Sequence, residues 1–247
     1  MAEFPLAVVT GGAHRLGRAF ALTLAYQGYA VLVHYHRSAQ QAARTVAEIK
    51  TFGVPAFSMQ ADLTLAEHVE SLFLLVDSLL ENPEANLSHF SVLVNSAAVM
   101  PRGDVQSLSV ANWDATFDLN VRAPFLCAQQ AAPRMKPGGL IVNVSDIGAG
   151  KTWSQFPSYT VSKAALDSLT RVLARSLAPS VRVNAIAPGL VLPSETITDE
   201  EWHKLVQRLP LKRPATTEEV ASALEFLLKN EYITGQTIVM DGGYSLL

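Results

Sequence analysis

Short apolar runs alternate with longer segments of spaced apolar residues along almost the whole chain. The runs are Leu6–Val9, Ala30–Tyr35, Ala56–Gln60, Ser91–Asn95, Leu140–Val144, Val181–Ile186 and Thr237–Met240. They are rich in Val, Ile and aromatics, and several lack the period-two alternation of a strand with one wet face. Strands buried on both faces read this way. Between them, Leu16–Tyr26, Ala39–Phe52, Leu65–Leu80, Val110–Met135, Tyr159–Leu177 and Thr217–Leu228 carry apolar residues at three- and four-residue spacing, as helices with one buried side do. Strand, helix, strand repeated in this order predicts right-handed βαβ units and a doubly wound α/β fold with a parallel sheet of seven strands. Thr216 followed by Glu219 reads as a capping box that opens the last helix.

The alternation breaks once, over Leu190–Pro210, where two prolines accompany a short acidic helix start at Thr198–Trp202. An insertion of this kind in a compact α/β domain suits an active-site cover, expected at about residues 190–212, with Trp202 as its hydrophobic anchor. The most loop-like earlier stretch, Asn82–Ser88, is too short to separate domains, so residues 1–247 are expected to form one domain.

Composition narrows the class. The chain has 247 residues, 49% apolar and 17% charged, enough to build a large core. A formal net charge of −3 gives no reason to expect nucleic acid as a partner. Cys127 is the single cysteine, so an internal disulfide and a cysteine-built metal cluster are both excluded, and its apolar surroundings suit packing. No metal site is expected. The start lacks a basic lead, and no apolar stretch approaches the roughly 20 residues that cross a bilayer, so a cytoplasmic protein without membrane contact is expected.

The first candidate chemistry lies where the first strand meets the first helix, at Thr10-Gly11-Gly12-Ala13-His14-Arg15-Leu16-Gly17. Glycine lets backbone turn sharply and approach a pyrophosphate held at a helix N-terminus. The strand before and the helix after make this more than a lone glycine-rich turn. The second clue is an absence. A site preferring the unphosphorylated dinucleotide needs a carboxylate near the end of the second strand, yet no Asp or Glu occurs from Phe4 through Ala47. His34-Tyr35-His36-Arg37-Ser38 stands there instead. Arg37 and Ser38, joined by Arg15 of the turn, therefore read as a clamp for a 2′-phosphate, and the cofactor as NADPH. His36 lies in the same stretch, though His34 and His36 also read as pleat-alternating strand residues without a chemical role. His14 reads as a turn residue. Asp62 suits either an adenine contact or a cap on the helix that follows Thr64.

These residues resemble the short-chain dehydrogenase/reductase family over essentially the whole chain. The glycine turn is similar to that family's, as are Val94-Asn95-Ser96-Ala97 after the fourth strand and Asn120 within Asp118–Val121. Tyr159-Thr160-Val161-Ser162-Lys163 matches its Tyr-x-x-x-Lys signature, and Arg182–Gly189 and Asp241-Gly242-Gly243 match its later landmarks. The resemblance implies a single Rossmann-like domain and a homotetramer built on the helices around Val110–Met135 and Tyr159–Leu177, with the C-terminal segment near a second interface. It implies cofactor contacts at Gly11, Arg15, Leu16, Gly17, His36, Arg37, Ser38, Asp62, Leu63, Asn95, Ser96, Ala97, Tyr159, Lys163, Pro188, Gly189, Leu190 and Val191. Within the family the likeness is closest to pteridine reductases and dihydromonapterin reductases. Arg15 replaces a family glycine, and Asp146 stands thirteen residues before the tyrosine, where the family usually has serine. Pteridine reductases also have Asp there. The sequence departs at Met100, where those enzymes stack an aromatic on the pterin, at Ala98 in place of serine, and at Pro193 in place of a frequent threonine.

The expected catalytic set is Asn120, Asp146, Tyr159 and Lys163. Tyr159 and Lys163 are four residues apart and share a helix face. A phenol of pKa about 10 is a poor acid near neutrality, and a nearby ammonium is expected to lower it. By resemblance Lys163 also holds the nicotinamide ribose, and Asn120 anchors a water that links the lysine to solvent. Asp146 can accept from the N–H groups of a nitrogen heterocycle, whereas a serine hydroxyl can donate to a carbonyl oxygen, as an ionised carboxylate cannot. Ser145 is the competing candidate, although strand alternation points it the other way if Asp146 faces the site. Met100, Asp146, Trp153, Phe156, Tyr159 and Ser194 are expected to meet substrate, with Trp153 and Phe156 equally readable as packing. The leading expectation is NADPH-dependent reduction of a dihydropterin or dihydrofolate. Reduction of a carbonyl such as a 3-oxoacyl thioester is the alternative, and a non-catalytic NADPH-binding regulator the third reading.

Overall fold

The computed structural model of the chain describes residues 3–194 and 197–247. Seven parallel strands form one sheet: β1 (Phe4–Thr10), β2 (Ala30–Tyr35), β3 (Ala56–Gln60), β4 (Leu87–Asn95), β5 (Met135–Val144), β6 (Val181–Pro188) and β7 (Thr237–Met240). Their order across the sheet is β3-β2-β1-β4-β5-β6-β7. The central strand explains the missing alternation: Leu6, Ala7, Val8 and Val9 are all fully buried, because helices cover both faces.

Helices α1 (Arg15–Tyr26), α2 (Ala39–Lys50) and α8 (Thr217–Lys229) cover one face, where Phe20, Leu24, Ile49 and Leu224 meet Val9, Val31 and Val33. Helices α3 (Ala66–Glu81), α5 (Ala123–Ala131) and α6 (Pro157–Leu177) cover the other, where Phe73, Cys127 and Leu173 meet Leu6, Leu32 and Leu93. The chain winds outward from β1 through β2 to β3, then returns to place β4 on the other side of β1. Such a reversal opens a crevice at the carboxyl ends of the two diverging strands. The ends of β1, β4, β5 and β6 deliver the glycine turn, Asn95, Asp146 and Gly189 respectively.

Several boundaries differ from the sequence reading. The segment expected as one helix over Val110–Met135 is α4 (Val110–Phe117), a π turn over Asp118–Arg122, α5 and a 3₁₀ turn over Ala132–Arg134. Met135 already belongs to β5, pairing with Phe90, and the Gly138-Gly139 stretch bulges before Val92 meets Leu140. Apolar spacing carries no mark for that π turn, since one extra residue per turn shifts the periodicity only locally. The expected loop Asn82–Ser88 holds a 3₁₀ turn over Pro83–Ala85, and β4 begins within it at Leu87. Helix α6 starts two residues early with Pro157 in its first turn, a position that needs no N–H. In the expected cover, α7 (Asp199–Arg208) opens with a capping box between Thr198 and Glu201, and Thr216 and Glu219 form the one foreseen at α8. Residues 195 and 196 of that cover, and residues 1 and 2 of the expected domain, lie outside the described residues.

Candidate active site

The glycine turn is shaped by contacts that no side chain can share. A Cβ on Gly17 would lie 2.1 Å from the Gly11 carbonyl oxygen. Gly11 has φ of +64°, and a Cβ there would lie 2.9 Å from the Ala97 Cα. Thr10 locks the turn to the end of β4: its hydroxyl accepts from the Ser96 and Ala97 amides at 3.0 and 3.2 Å. His34 locks it to β2. The ring Nδ1 accepts from the Gly11 amide at 3.1 Å, and Nε2 faces the Ala61 carbonyl at 3.0 Å. Those two roles require the neutral imidazole, and burial pulls its pKa down to about 4. His34 thus has a structural role that alternation along the strand did not suggest. A polar residue within an otherwise buried apolar strand was the available signal.

The expected phosphate clamp is only partly assembled. Arg37 is exposed and Ser38 half-buried at the mouth of β2, with no carboxylate before them. The exposed His36 lies beside them, its Nε2 3.8 Å from Asp62. Arg15 does not join them. Its guanidinium donates to the carbonyls of Pro193 and Leu192, both at 3.1 Å, beyond the end of β6. Strands β2 and β6 lie on opposite sides of β1, so one guanidinium cannot serve both ends. Asp62 accepts from the Thr64 amide and hydroxyl at 3.0 and 2.7 Å, a local turn ahead of α3, whose N-cap Leu65 takes no side-chain bond, so Asp62 does not cap that helix. That hydroxyl contact holds its carboxyl below the usual range.

Other expected cofactor residues divide by what they offer. Ser96, Ala97, Leu16, Pro188, Gly189 and Leu190 stand at the ends of β1, β4 and β6 around the crevice. Leu63 and Val191 turn their side chains into the two cores, which leaves only their backbone for a ligand. Asn95 is also turned inward, donating to Asn143 at 2.9 Å, and Asn143 passes the chain on to Thr170 at 2.9 Å. The glycine cradle, the helix start and the cationic mouth of β2 fit a dinucleotide with a phosphorylated adenosine ribose. Among the described residues, no group of three or more His, Cys, Asp or Glu side chains can hold a metal ion.

Asp146, Tyr159 and Lys163 meet where β5 ends and α6 begins. The Tyr159 hydroxyl donates to Asp146 Oδ2 at 2.8 Å, and Asp146 Oδ1 accepts from the Gly148 amide at 2.6 Å. Lys163 is buried, donates to the Val144 carbonyl at 2.7 Å, and lies 5.6 Å from the centre of the Tyr159 ring. Burial pulls its ammonium down to about 8. The phenol differs from the expectation. Its pKa stands well above the ordinary value, because burial and the neighbouring Asp146 carboxylate both raise it. Burial also raises Asp146. A hydroxyl and a carboxylate that both resist ionisation share one hydrogen bond, an arrangement suited to holding a proton for a substrate. Ser145 faces away from them and toward Asp167 of α6, as strand alternation requires.

Asn120 sits in the π turn with its side-chain amide fully engaged. It accepts from the Val99 amide and donates to the Val99 carbonyl, both at 2.9 Å, and donates to Ser162 at 3.0 Å. Ser162 donates in turn to the Tyr159 carbonyl at 2.7 Å. Asn120 therefore clamps the segment before Met100 to the catalytic helix, a task beyond the water anchoring expected of it. Met100 is 41% exposed and, with Val99, Pro101 and Ala115, lines a cleft of about 410 Å³. Trp153 packs on Tyr244 at 6.5 Å between ring centres and joins a small cluster with Ile147, Leu190 and Leu209. This favours the packing reading for Trp153. Phe156 is half-buried just before α6, and Ser194 is exposed beyond β6.

Comparison with known proteins agrees with this geometry. Residues 11–245 match a family model described as enoyl-(acyl carrier protein) reductase. The 3-oxoacyl-acyl-carrier-protein reductase FabG of Staphylococcus aureus is 34% identical over 244 residues, covering 96% of each chain. The crystal structure of FolM alternative dihydrofolate reductase 1 from Brucella canis, complexed with NADP, superposes with a TM-score of 0.90 at 35% identity, covering 100% of this chain and 96% of that one. A short-chain dehydrogenase of Burkholderia cenocepacia in complex with NADP superposes with a TM-score of 0.90 at 29% identity, covering 98% of each. The glycine cradle, the Tyr159–Lys163 pair and a family match over nearly the whole length together make this chain a member of the short-chain dehydrogenase/reductase family.

Proposed function

We propose that the chain is an NADPH-dependent reductase of a pterin-type substrate, a dihydropterin or dihydrofolate. The observation that carries this reading is the half-buried Asp146 carboxylate, hydrogen-bonded to the Tyr159 hydroxyl at 2.8 Å. A carboxylate accepts from the N–H groups of an amino-pyrimidine, whereas an ordinary carbonyl oxygen requires a donor. The FolM structures bound to NADP support the same substrate class.

The nicotinamide, when bound, supplies the hydride. The chain's own residues receive and orient the substrate. Asp146 accepts from its ring N–H groups, Tyr159 delivers the proton through its hydroxyl, and Lys163 orients the ribose beside them. Asn120 keeps the Val99–Met100 wall in register with α6. Arg37, Ser38 and His36 hold the adenosine phosphate, and residues 190–212 cover the substrate. Met100, Phe156 and Ser194 border it.

A second reading, reduction of a 3-oxoacyl thioester, is favoured by Met100 and the apolar cleft it lines, and by the likeness to FabG. NADPH oxidation assays with dihydrobiopterin, dihydrofolate and a 3-oxoacyl thioester, each with and without an antifolate, separate the two. The pterin reading expects antifolate-sensitive turnover of a pterin and a loss of about tenfold or more in Asp146→Ser, the worth of a charge-assisted hydrogen bond. Turnover of the thioester alone, or an unimpaired Asp146→Ser, removes it.

We also propose a cytoplasmic homotetramer of single-domain subunits. Among the described residues no helix is long and apolar enough to cross a membrane. Val110 on α4, 75% exposed and followed on that helix by the Trp113–Phe117 stack, and Val172 on α6, 58% exposed, give those helices apolar outer positions that suit subunit contact.

A further inference from the structure

Arg15 occupies a costly position. Its φ is +52°, a left-handed conformation that glycine adopts freely and a side chain resists. The chain retains arginine there, so the side chain has to return something for the strain. Its guanidinium donates from Nη1 to the Pro193 carbonyl and from Nη2 to the Leu192 carbonyl, both at 3.1 Å. Two parallel donors on one rigid plane grip two consecutive carbonyls, which a lysine ammonium cannot reproduce.

The gripped segment frames the substrate side of the crevice. It follows Gly189, whose amide is held by the Met240 carbonyl at 2.9 Å, and Leu190, whose carbonyl is held by the Ala215 amide at 2.9 Å. Leu190 packs with Ile147 and Trp153, next to the Asp146–Tyr159 pair. Beyond Val191 the backbone leaves the core, and Leu192 and Pro193 are exposed.

We infer that Arg15 is a positioning residue for the substrate wall, a strut that ties the phosphate-binding turn to the backbone of Leu192 and Pro193. This rests on the reductase reading for its kinetic consequence, but the strut itself does not. The cofactor's adenosine phosphate is then read at the β2 end alone, by Arg37 and Ser38, and Arg15 links occupancy of the turn to the shape of the pocket across the crevice.

The test uses the full chain with Arg15→Gly and Arg15→Lys. Glycine relaxes the strained backbone, so Arg15→Gly keeps or raises the melting temperature. The backbone amides of Leu190, Val191, Leu192 and Ser194 exchange hydrogen faster in both variants than in the parent, measured without any substrate. The ratio of NADPH to NADH dissociation constants, read by fluorescence titration, stays within about threefold of the parent, while KM for the substrate the parent reduces rises about tenfold, the worth of a lost charge-assisted hydrogen bond. Lysine fails to rescue either effect. Unchanged exchange at 190–194, or a collapse of the NADPH preference in Arg15→Gly, overturns the strut. A parent that reduces neither pterin nor thioester removes the reductase reading, and the exchange data still decide the strut.

Discussion

At the scale of single residues, the site depends on polar groups buried with every partner in place. His34 is the sharpest case. Its ring serves the Gly11 amide on one side and the Ala61 carbonyl on the other, and both duties need the neutral form. The folded-state pKa of about 4 lies below the ordinary 6.5, so the unfolded chain binds the proton more readily. Stability from this residue is therefore whole above pH 6.5, falls as the pH drops toward 4, and levels off below that. The gap corresponds to about 3 kcal/mol by linkage. His34→Gln, whose amide can accept from Gly11 and donate to Ala61 without titrating, is expected to fold and to flatten that slope. Urea unfolding of parent and variant from pH 7.5 to 4.5 checks it. Parallel curves across this range would show that His34 is protonated alike in both states.

The elements show which part of the architecture was written in local sequence. Each of the seven strands was visible as a short run of strand-forming residues; burial on both faces leaves no room for polar alternation in the central ones, whereas the edge strands β3 and β7 are only partly buried. Tyr159, Lys163 and Asp146 were legible from their spacing, and the structure brings them into contact. What spacing could not carry was direction. Arg15 was read toward Arg37 and Ser38, but its side chain runs across the crevice to β6. The phenol was expected to be sharpened by Lys163, but burial first, and then the carboxylate hydrogen-bonded to it, push its pKa up. The π turn at Asp118–Arg122 was hidden within a helical pattern, and it explains Asn120. One residue of slack lets that side chain reach both polar groups of Val99 while touching Ser162. Asn120→Ala removes the partner of both Val99 backbone groups and of the buried Ser162 hydroxyl, so a loss of about 2–4 kcal/mol is expected from the three hydrogen bonds together. The same variant should loosen the wall at Met100, raising substrate KM while leaving the NADPH dissociation constant near the parent's. Chemical denaturation with parallel kinetics tests this, and an equal loss in cofactor affinity would contradict the assignment of Asn120 to the wall.

At the scale of the molecule, the sheet is continuous, with β1 and β4 paired as far as Thr10 and Asn95; it is the winding of the chain that reverses there, which leaves a crevice beyond their carboxyl ends between the turn after β1 and the loops after β4 and β6. Thr10 ties the two strand ends, and Arg15 spans to β6. A dinucleotide lying in the crevice contacts both sides at once, so its binding acts as a third tie and stabilises the fold in proportion to its affinity. At a concentration about 100 times its dissociation constant, a ligand bound only by the folded state adds about 2.7 kcal/mol. For a chain of this size that raises the melting temperature by roughly 5–10 °C. The 2′-phosphate is the one group that distinguishes NADPH from NADH, and Arg37, with His36 beside it, stands exposed at the mouth of β2 where that phosphate would lie. Equal concentrations of the two nucleotides should therefore give unequal shifts, NADPH the larger, and Arg37→Ala should narrow the difference mainly by lowering the NADPH shift. High salt should narrow it as well, since Arg37 and His36 are exposed and screened. Equal shifts in low salt would mean that the β2 end does not read the phosphate, and the missing carboxylate would then be no guide to the cofactor.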